Sequence, residues 1–276
     1  MGFIAPLGSE GFLPLIWNAF IGIIVALVYV KGIIALMERL VDNKTLSSDL
    51  SRKIIHIAAG SFIWVWLFLD TSDGFSYLLN ITVPFLFFCT FLYKGFRGSP
   101  DDPDVKTMSR TGDPRELLRG TLYFTIVMII AGTVLFGTYA GMLMMAIVGW
   151  GDGIAPYFGK RFGKRKYKTL GREKSLEGSF GVFLFSIIGS ILFLSLLGVL
   201  GSDVNPDLAV LKDPGVGLEI ILLVILLLAI VTTIIEALSP ADIDNLLIPI
   251  STIITLIVVD IILGSSFILG AMLRFF

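Results

Sequence analysis

Charge is scarce in this chain, and so are the residues that build most soluble active sites. Of 276 residues only 16% are charged, against 55% hydrophobic, and the mean hydropathy is +0.91. That leaves too few polar groups to solvate a soluble globule of this length, so the natural solvent is a bilayer. One cysteine, Cys89, and one histidine, His56, are present. A single thiol excludes an intramolecular disulfide, and the two together leave no Cys/His zinc set, so any metal would be held by oxygen. A net charge of -1 gives no overall basic field and argues against a nucleic-acid partner, whereas a small anion such as a nucleotide suits local basic clusters. The N-terminus lacks the basic segment and cleavage site of a signal peptide, and Pro6 spoils a myristoylation pattern after Met1-Gly2, so the first apolar block is expected to persist as a helix. Neither a Walker A run nor a kinase-type GxGxxG occurs, so nucleotide handling here would need another framework.

What the chain has is apolar blocks separated by short loops. A helix needs about 20 mainly apolar residues to cross a hydrocarbon core. By that rule the spans fall near 14–37, 54–70, 76–93, 119–137, 139–158, 179–200, 218–238 and 246–264. The expected fold is an all-α polytopic bundle of about eight spans, seven to nine, in a single domain over residues 1–276. The last apolar block runs on to Phe276 and is expected to tilt, to bend at Gly264-Ser265-Ser266 or to end in a surface helix. Two loops, Lys94 to Arg119 and Lys160 to Lys174, hold 14 of the 21 Lys and Arg residues. Loops after spans one, three and five are basic and those after two, four and six hold Lys212 alone, which places the odd loops, including the cation-free Ser239–Asn245, in the cytoplasm and the N-terminus outside.

Polar residues in or beside these spans are the candidates for chemistry. In SRKIIHIAAG, Arg52, Lys53 and His56 share a helical face near the cytoplasmic boundary, an anion-binding corner; simple snorkelling is the alternative. In GWGDGIAPYFG, Asp152 lies at membrane depth between Gly151 and Gly153, where an ionised carboxylate costs several kcal/mol unless paired. The following run Lys160, Arg161, Lys164, Arg165, Lys166 and Lys168 supplies positive potential, or anchors the chain to anionic lipid. In KSLEGSFG, Ser175 is placed to cap a helix, Gly178 permits close approach and Lys174 can meet a phosphate at the helix start. In TTIIEALSPADIDNLLIPI, Glu236, Asp242, Asp244 and Asn245 concentrate hard oxygen ligands of the kind that hold Mg²⁺ together with substrate phosphates; a plain helix-turn-helix connection is the alternative. DDPDV, from Asp101 to Val105, reads as a solvated loop without adjacent burial.

RKIIH, TGDPRELLRGTLYF, GDGIAPYFGKRFG with KSLEGSFG, and IEALSPADIDNLLIP resemble, in order and topology, the signatures of the CTP-dependent polyprenol kinases, the family of dolichol, phytol and farnesol kinases. The resemblance covers about residues 51–250 and points to the phytol-kinase branch, although Thr121 stands where that branch usually has proline. It implies transfer of the CTP γ-phosphate to the hydroxyl of a membrane-embedded isoprenoid alcohol, giving the monophosphate and CDP; Mg²⁺ as the metal is a physical inference from the hard oxygen ligands. With the physical roles above, it gives a nucleotide-binding set of Arg52, Lys53, Gly159, Lys174, Ser175, Glu177 and Gly178. The metal set is Asp152, Glu236, Asp244 and Asn245, and the catalytic set is Asp152, Glu236 and His56, with His56 or a carboxylate taking the alcohol proton.

A CTP-dependent diacylglycerol kinase would differ only in its acceptor. A lipid cytidylyltransferase would typically carry a downstream His-Gly-Gly-x-x-Asp pattern, and no histidine follows His56. A transporter of an anionic solute would place Asp152 and Glu236 on its path, with paired broken helices in two similar halves, and no such internal repeat is visible. The expected location is an integral membrane one with the site facing the cytoplasm: the plasma membrane in a prokaryote, or the endoplasmic reticulum membrane. Residues alone do not fix oligomeric state or acceptor length.

Overall fold

The most buried helix of the protein leads straight into Asp152. In the computed structural model, which describes residues 12–69, 80–170, 172–198, 204, 208, 215–240 and 243–268, the chain is mostly helical. Helix α1 is Phe12–Asp42, and α2 is Ser48–Gly60, continued by a 3-10 segment over Ser61–Phe68. Helices α3 (Thr82–Arg97), the short α4 (Pro103–Met108) and α5 (Gly120–Gly132) follow. Next come α6 (Tyr139–Ala146), a π-helical turn over Ile147–Asp152 and α7 (Gly153–Phe162). Helices α8 (Leu176–Leu196), α9 (Leu218–Leu238) and α10 (Asp244–Leu263) complete the bundle. All eight residues of α6 are buried, as expected of a helix apolar on every side, and α5, α8 and α10 pack around it.

Every predicted span finds helical chain at its place. Among the described residues four helices are long and apolar enough to cross a membrane by length and composition: Phe20–Asp42, Leu176–Leu196, Leu218–Leu238 and Asp244–Leu263. The others differ for local reasons. The second span changes from α to 3-10 at Ser61, and the fifth is interrupted by the π turn. The third begins inside 70–79, which lies outside the described residues.

Local signals account for the helix starts. Ser47 Oγ accepts from Leu50 N–H at 3.3 Å, Thr138 Oγ1 from Gly141 N–H at 3.1 Å and Ser175 Oγ from Gly178 N–H at 3.1 Å. Each satisfies one otherwise orphaned donor. Helix α10 ends at Gly264 with φ +64°, a left-handed stop that glycine adopts without steric cost. The chain then turns back onto the helix: the buried Asp260 carboxylate accepts from Ser265 Oγ at 2.7 Å and from the Phe267 and Ile268 N–H groups at 2.8 Å. The expected break at Gly264 is observed; a terminal surface helix would fall on residues 269–276, which lie outside the described residues.

Two elements depart from the reading of the sequence. The basic loop after α7 forms an antiparallel hairpin, β1 (Lys166–Thr169) and β2 (Arg172–Ser175). Lys166 Nζ meets Glu173 Oε1 at 2.6 Å across it, so alternating charge supports the strands where like charges alone would repel. DDPDV is not a free solvated loop. Pro103 starts α4, whose Val105, Thr107 and Met108 are buried, and Asp104 forms a close ion pair with Lys94 of α3. A proline is favourable at a first helical position, and the apolar residues that need cover lie just downstream.

The bundle's tightest crossing joins α2 to the π turn. A Cβ added to Gly60 would overlap the Cα of Gly149, and the reverse also holds. Trp150 Nε1 donates to Ser61 Oγ at 2.9 Å beside it. We expect Gly60→Ala to destabilise the protein by about 1–3 kcal/mol or more, the usual cost of overpacking, read as a lowered Tm in detergent. An unchanged Tm would mean that the two backbones do not touch.

Candidate active site

A cavity of about 230 Å³ opens where the starts of α2, α5 and α10 meet the end of α9 and the π turn. Its charged end is lined by Arg52, Lys53, His56, Arg110, Glu116, Asp152, Glu236, Asp244 and Asn245. Seven of these nine are residues singled out in the sequence, drawn from three separate motifs. They come together because each motif sits at a helix end and those ends share one end of the bundle.

Glycines deliver Asp152. A Cβ on Gly151 would overlap Ser186 Oγ of α8, and one on Gly153 would lie 2.8 Å from Ile57 Cγ1 and 3.0 Å from His56 Cδ2 of α2. Only bare backbone passes between these helices, and the carboxylate is set against α2. His56 Nε2 lies 3.0 Å from the Val148 carbonyl oxygen and 3.7 Å from Asp152 Oδ2. Facing a carbonyl that can only accept, Nε2 carries the proton, which leaves Nδ1 as the ring's proton acceptor. The ring rests on Phe124 with centroids 4.7 Å apart.

The cations are held by a residue the motif reading passed over. Asp49, one helical turn before Arg52 and Lys53, lies 3.1 Å from Lys53 Nζ, 3.6 Å from Arg52 and 2.6 Å from Lys160 Nζ of α7. Its spacing at i−3 and i−4 was the available signal. Partial burial works against its charge, but hydrogen bonds from Lys160 and Lys53 prevail and hold its pKa down to about 2. Arg110 and Glu116 were also missed. Glu116 braces the loop before α5 by accepting from the Arg110 N–H and from Thr111 Oγ1, the latter at 2.7 Å. The family resemblance quoted that loop without assigning either residue.

Asp244 and Asn245 open α10. Asp244 Oδ1 accepts from the Asn245 N–H at 3.0 Å, and Asn245 Nδ2 donates to the Gly120 carbonyl at 3.3 Å. That bond turns Asn245 Oδ1 away, and this buried oxygen has no hydrogen-bond partner among the described residues. Asp242 lies outside the described residues.

The remaining candidates do not line the cavity. Lys174 donates to Glu236 Oε1 at 2.8 Å and, in a close contact, to the Glu236 carbonyl, so β2 is tied to the end of α9. Ser175 caps α8, as its place at a helix start suggested. Glu177 accepts from the Lys164 and Arg165 N–H groups at 3.1 and 3.3 Å. Gly159 and Gly178 face each other where α7 crosses α8: a Cβ on Gly178 would lie 3.3 Å from the Gly159 Cα.

Residues 7–270 match the model of a family described as the cytidylyltransferase family. The chain belongs to that family. Among curated proteins it is similar to a "probable phytol kinase, chloroplastic" of Zea mays, 27% identical over 227 residues, 81% of this chain and 71% of that protein. A "probable phytol kinase 1, chloroplastic" of Oryza sativa subsp. japonica is 30% identical over 228 residues, 81% of this chain and 68% of that one. "Phytol kinase 1, chloroplastic" of Arabidopsis thaliana is 28% identical over 222 residues, 79% and 68% of the two chains. No solved structure matches. The four motifs and these relatives agree: the resemblance to the polyprenol kinases and to their phytol-kinase branch is borne out.

The depressed Asp49 fixes a pH window. A carboxylate lowered on folding contributes its stability above its unfolded pKa, about 3.9, and loses it as pH falls through the folded value of about 2. We therefore expect wild type to melt above Asp49→Asn at neutral pH, with the two Tm values converging as pH falls from about 4 towards 2. A gap that persists at the acid end would remove the ion cluster as its cause.

Proposed function

We propose that this chain is a CTP-dependent kinase that transfers the γ-phosphate of CTP to the hydroxyl of a long-chain isoprenoid alcohol, giving the monophosphate and CDP. The observation that carries the reading is the two-part cavity, cations and carboxylates at one end and apolar side chains at the other. The likeness to phytol kinases supplies the reaction class. The family's printed description leaves cytidylyl transfer as the rival chemistry, and the absence of any histidine after His56 weighs against it.

Phosphoryl transfer is mainly positioning and neutralisation of phosphate charge. In this reading Arg52 and Lys53 bind phosphate oxygens, Arg52 by a bidentate fork. Lys174, one ion pair away through Glu236, adds positive potential from the hairpin. His56 Nδ1 takes the alcohol proton, and Asp152 keeps the ring oriented.

A divalent cation fits the oxygen donors present. Asp152, Glu236 and Asp244 offer carboxylates to the cavity, and Asn245 Oδ1 is a buried acceptor without a partner among the described residues. Among the described residues no three of His, Cys, Asp or Glu form a ready cage, which suits Mg²⁺, held by one or two carboxylates and completed by substrate phosphates. When bound, the metal neutralises charge on those phosphates. The same reading sets the bundle in the membrane with eight spans, the N-terminus outside and the charged end of the cavity in the cytoplasm, where CTP is.

The deciding assay supplies purified protein in detergent with Mg²⁺ and CTP labelled at either the α- or the γ-phosphate, with phytol, geranylgeraniol, a dolichol or diacylglycerol as acceptor. Label from the γ position in an isoprenoid monophosphate is expected. Label from the α position in lipid would make the protein a cytidylyltransferase, and γ label in phosphatidate would make it a lipid kinase.

Within the active enzyme, Asp152→Asn should lower kcat by about 10²–10³-fold, the usual loss for an electrostatic stabiliser, and shift the Mg²⁺ dependence. His56→Ala should cost about 10²–10⁴-fold, the range for a general base. Near-normal turnover in His56→Ala would transfer the proton to a carboxylate.

A further inference from the structure

The cavity continues from its charged end into an apolar arm between α1, α3 and α5. We infer that this arm is a track for a single hydrocarbon chain, and that it selects an alcohol with no polar group next to its hydroxyl over one carrying ester groups there. The inference rests on the kinase reading for its kinetic arm and is independent of it for its binding arm.

The walls are stripes of stacked side chains. Phe87 and Phe91 line the arm four residues apart on α3, and Phe124 and Met128 do the same on α5, the spacing that puts residues on one helical face. Eight residues separate Val83 from Phe91, and eight separate Gly120 from Met128. At 1.5 Å per residue both walls therefore run for about 12 Å. The α5 wall passes Asn245 at Gly120 and His56 at Phe124 before it reaches Met128, so the passage leads from the charged end, past His56, to apolar side chains.

Two of its hydroxyls are already engaged with backbone carbonyls. The Tyr29 hydroxyl donates to the Ala58 carbonyl at 2.7 Å, and Thr125 Oγ1 donates to the Leu122 carbonyl at 2.7 Å. A saturated or unsaturated hydrocarbon needs nothing more from this wall. The ester groups of a 1,2-diacylglycerol are borne on the two carbons next along from its hydroxyl carbon, with carbonyl carbons three and four bonds from it; they would enter an arm where the Tyr29 and Thr125 hydroxyls are engaged elsewhere, and an unsatisfied buried acceptor is penalised. A second acyl chain would also have to share a passage walled on each side by one stripe of aromatic and aliphatic side chains.

The binding test uses a geranylgeraniol analogue bearing a photoreactive diazirine, added to the whole protein in detergent without CTP, with labelled residues mapped. The expected labels fall on the α1, α3 and α5 faces around Val83, Phe87 and Met128. Unlabelled geranylgeraniol should suppress them at a concentration at least about tenfold below that needed for diacylglycerol, a difference of 1.4 kcal/mol. Met128→Trp, which fills the deep end, should abolish the labels. In the kinetic arm it should raise KM for geranylgeraniol about tenfold while KM for CTP stays within about twofold. If Met128→Trp does not fold, the wild-type map and the competition still decide. Labels on other faces, or equal competition by diacylglycerol, would overturn the track. Correct labels without any phosphate transfer would keep the track and reject the kinase, whereas CTP-dependent phosphorylation with labels elsewhere would do the reverse.

Discussion

Everything at the charged end of the cavity depends on two backbones touching. Gly60 of α2 and Gly149 of the π turn meet with no room for a Cβ on either. His56 lies one helical turn before the first and Asp152 three residues after the second, so the crossing sets their separation. The 3.0 Å contact of His56 with the Val148 carbonyl and its 3.7 Å approach to Asp152 follow from it. Gly151 and Gly153 extend the same logic to α8 and back to α2. A π turn adds a residue to the helical ladder and frees backbone groups locally, which lets the wholly buried α6 end in a polar residue instead of burying it.

The ion pairs around this centre connect elements as well as stabilising them. A buried pair is a poor stabiliser because desolvation offsets the attraction, yet Lys174 and Glu236 are paired at 10% and 13% side-chain exposure. What the pair achieves is connection: it fastens the hairpin, which contains Lys166 and Lys168 of the basic run, to the end of α9. Asp49 likewise joins α2 to α7 through Lys53 and Lys160. Ser175, Glu177, Gly159 and Gly178 act in this framework, capping α8, bracing the hairpin entry and letting α7 and α8 approach. Residues grouped in sequence as a nucleotide motif are thus divided in space between the cavity wall and the scaffold behind it.

That division marks the limit of what could be read from the chain. Hydropathy placed helix at all eight positions, and α9 matches its predicted bounds at both ends, because a long apolar run admits one structure in lipid. The gathering of Arg52, His56, Asp152, Glu236 and Asp244 was also legible, since loop charge alternation puts their helix ends on one side. Hairpin, π turn and 3-10 segment were not, for they arise from tertiary contacts and not from periodicity. Asp49 was hidden because an acidic residue before basic ones reads as an ordinary helix start. Met108 was hidden because the prolines and acidic residues of DDPDV suggested exposure.

The apolar arm raises a thermodynamic point about selection in a membrane. For a soluble enzyme, burying a hydrocarbon tail yields roughly 25 cal/mol per Å² against water. Here the tail leaves lipid, which is as apolar as the side chains lining the arm, so little of that driving force is available. The arm cannot win affinity by greasiness. On the proposed reading it discriminates by shape and by refusing polar groups, with the hydroxyl held where His56, Arg52 and Asp152 converge. Such a site would be tolerant of chain length beyond its own reach of about 12 Å and strict about what flanks the hydroxyl. A chemistry whose donor is soluble and whose acceptor is dissolved in the bilayer requires that combination: charges confined to the helix ends, and a dry passage leading away from them.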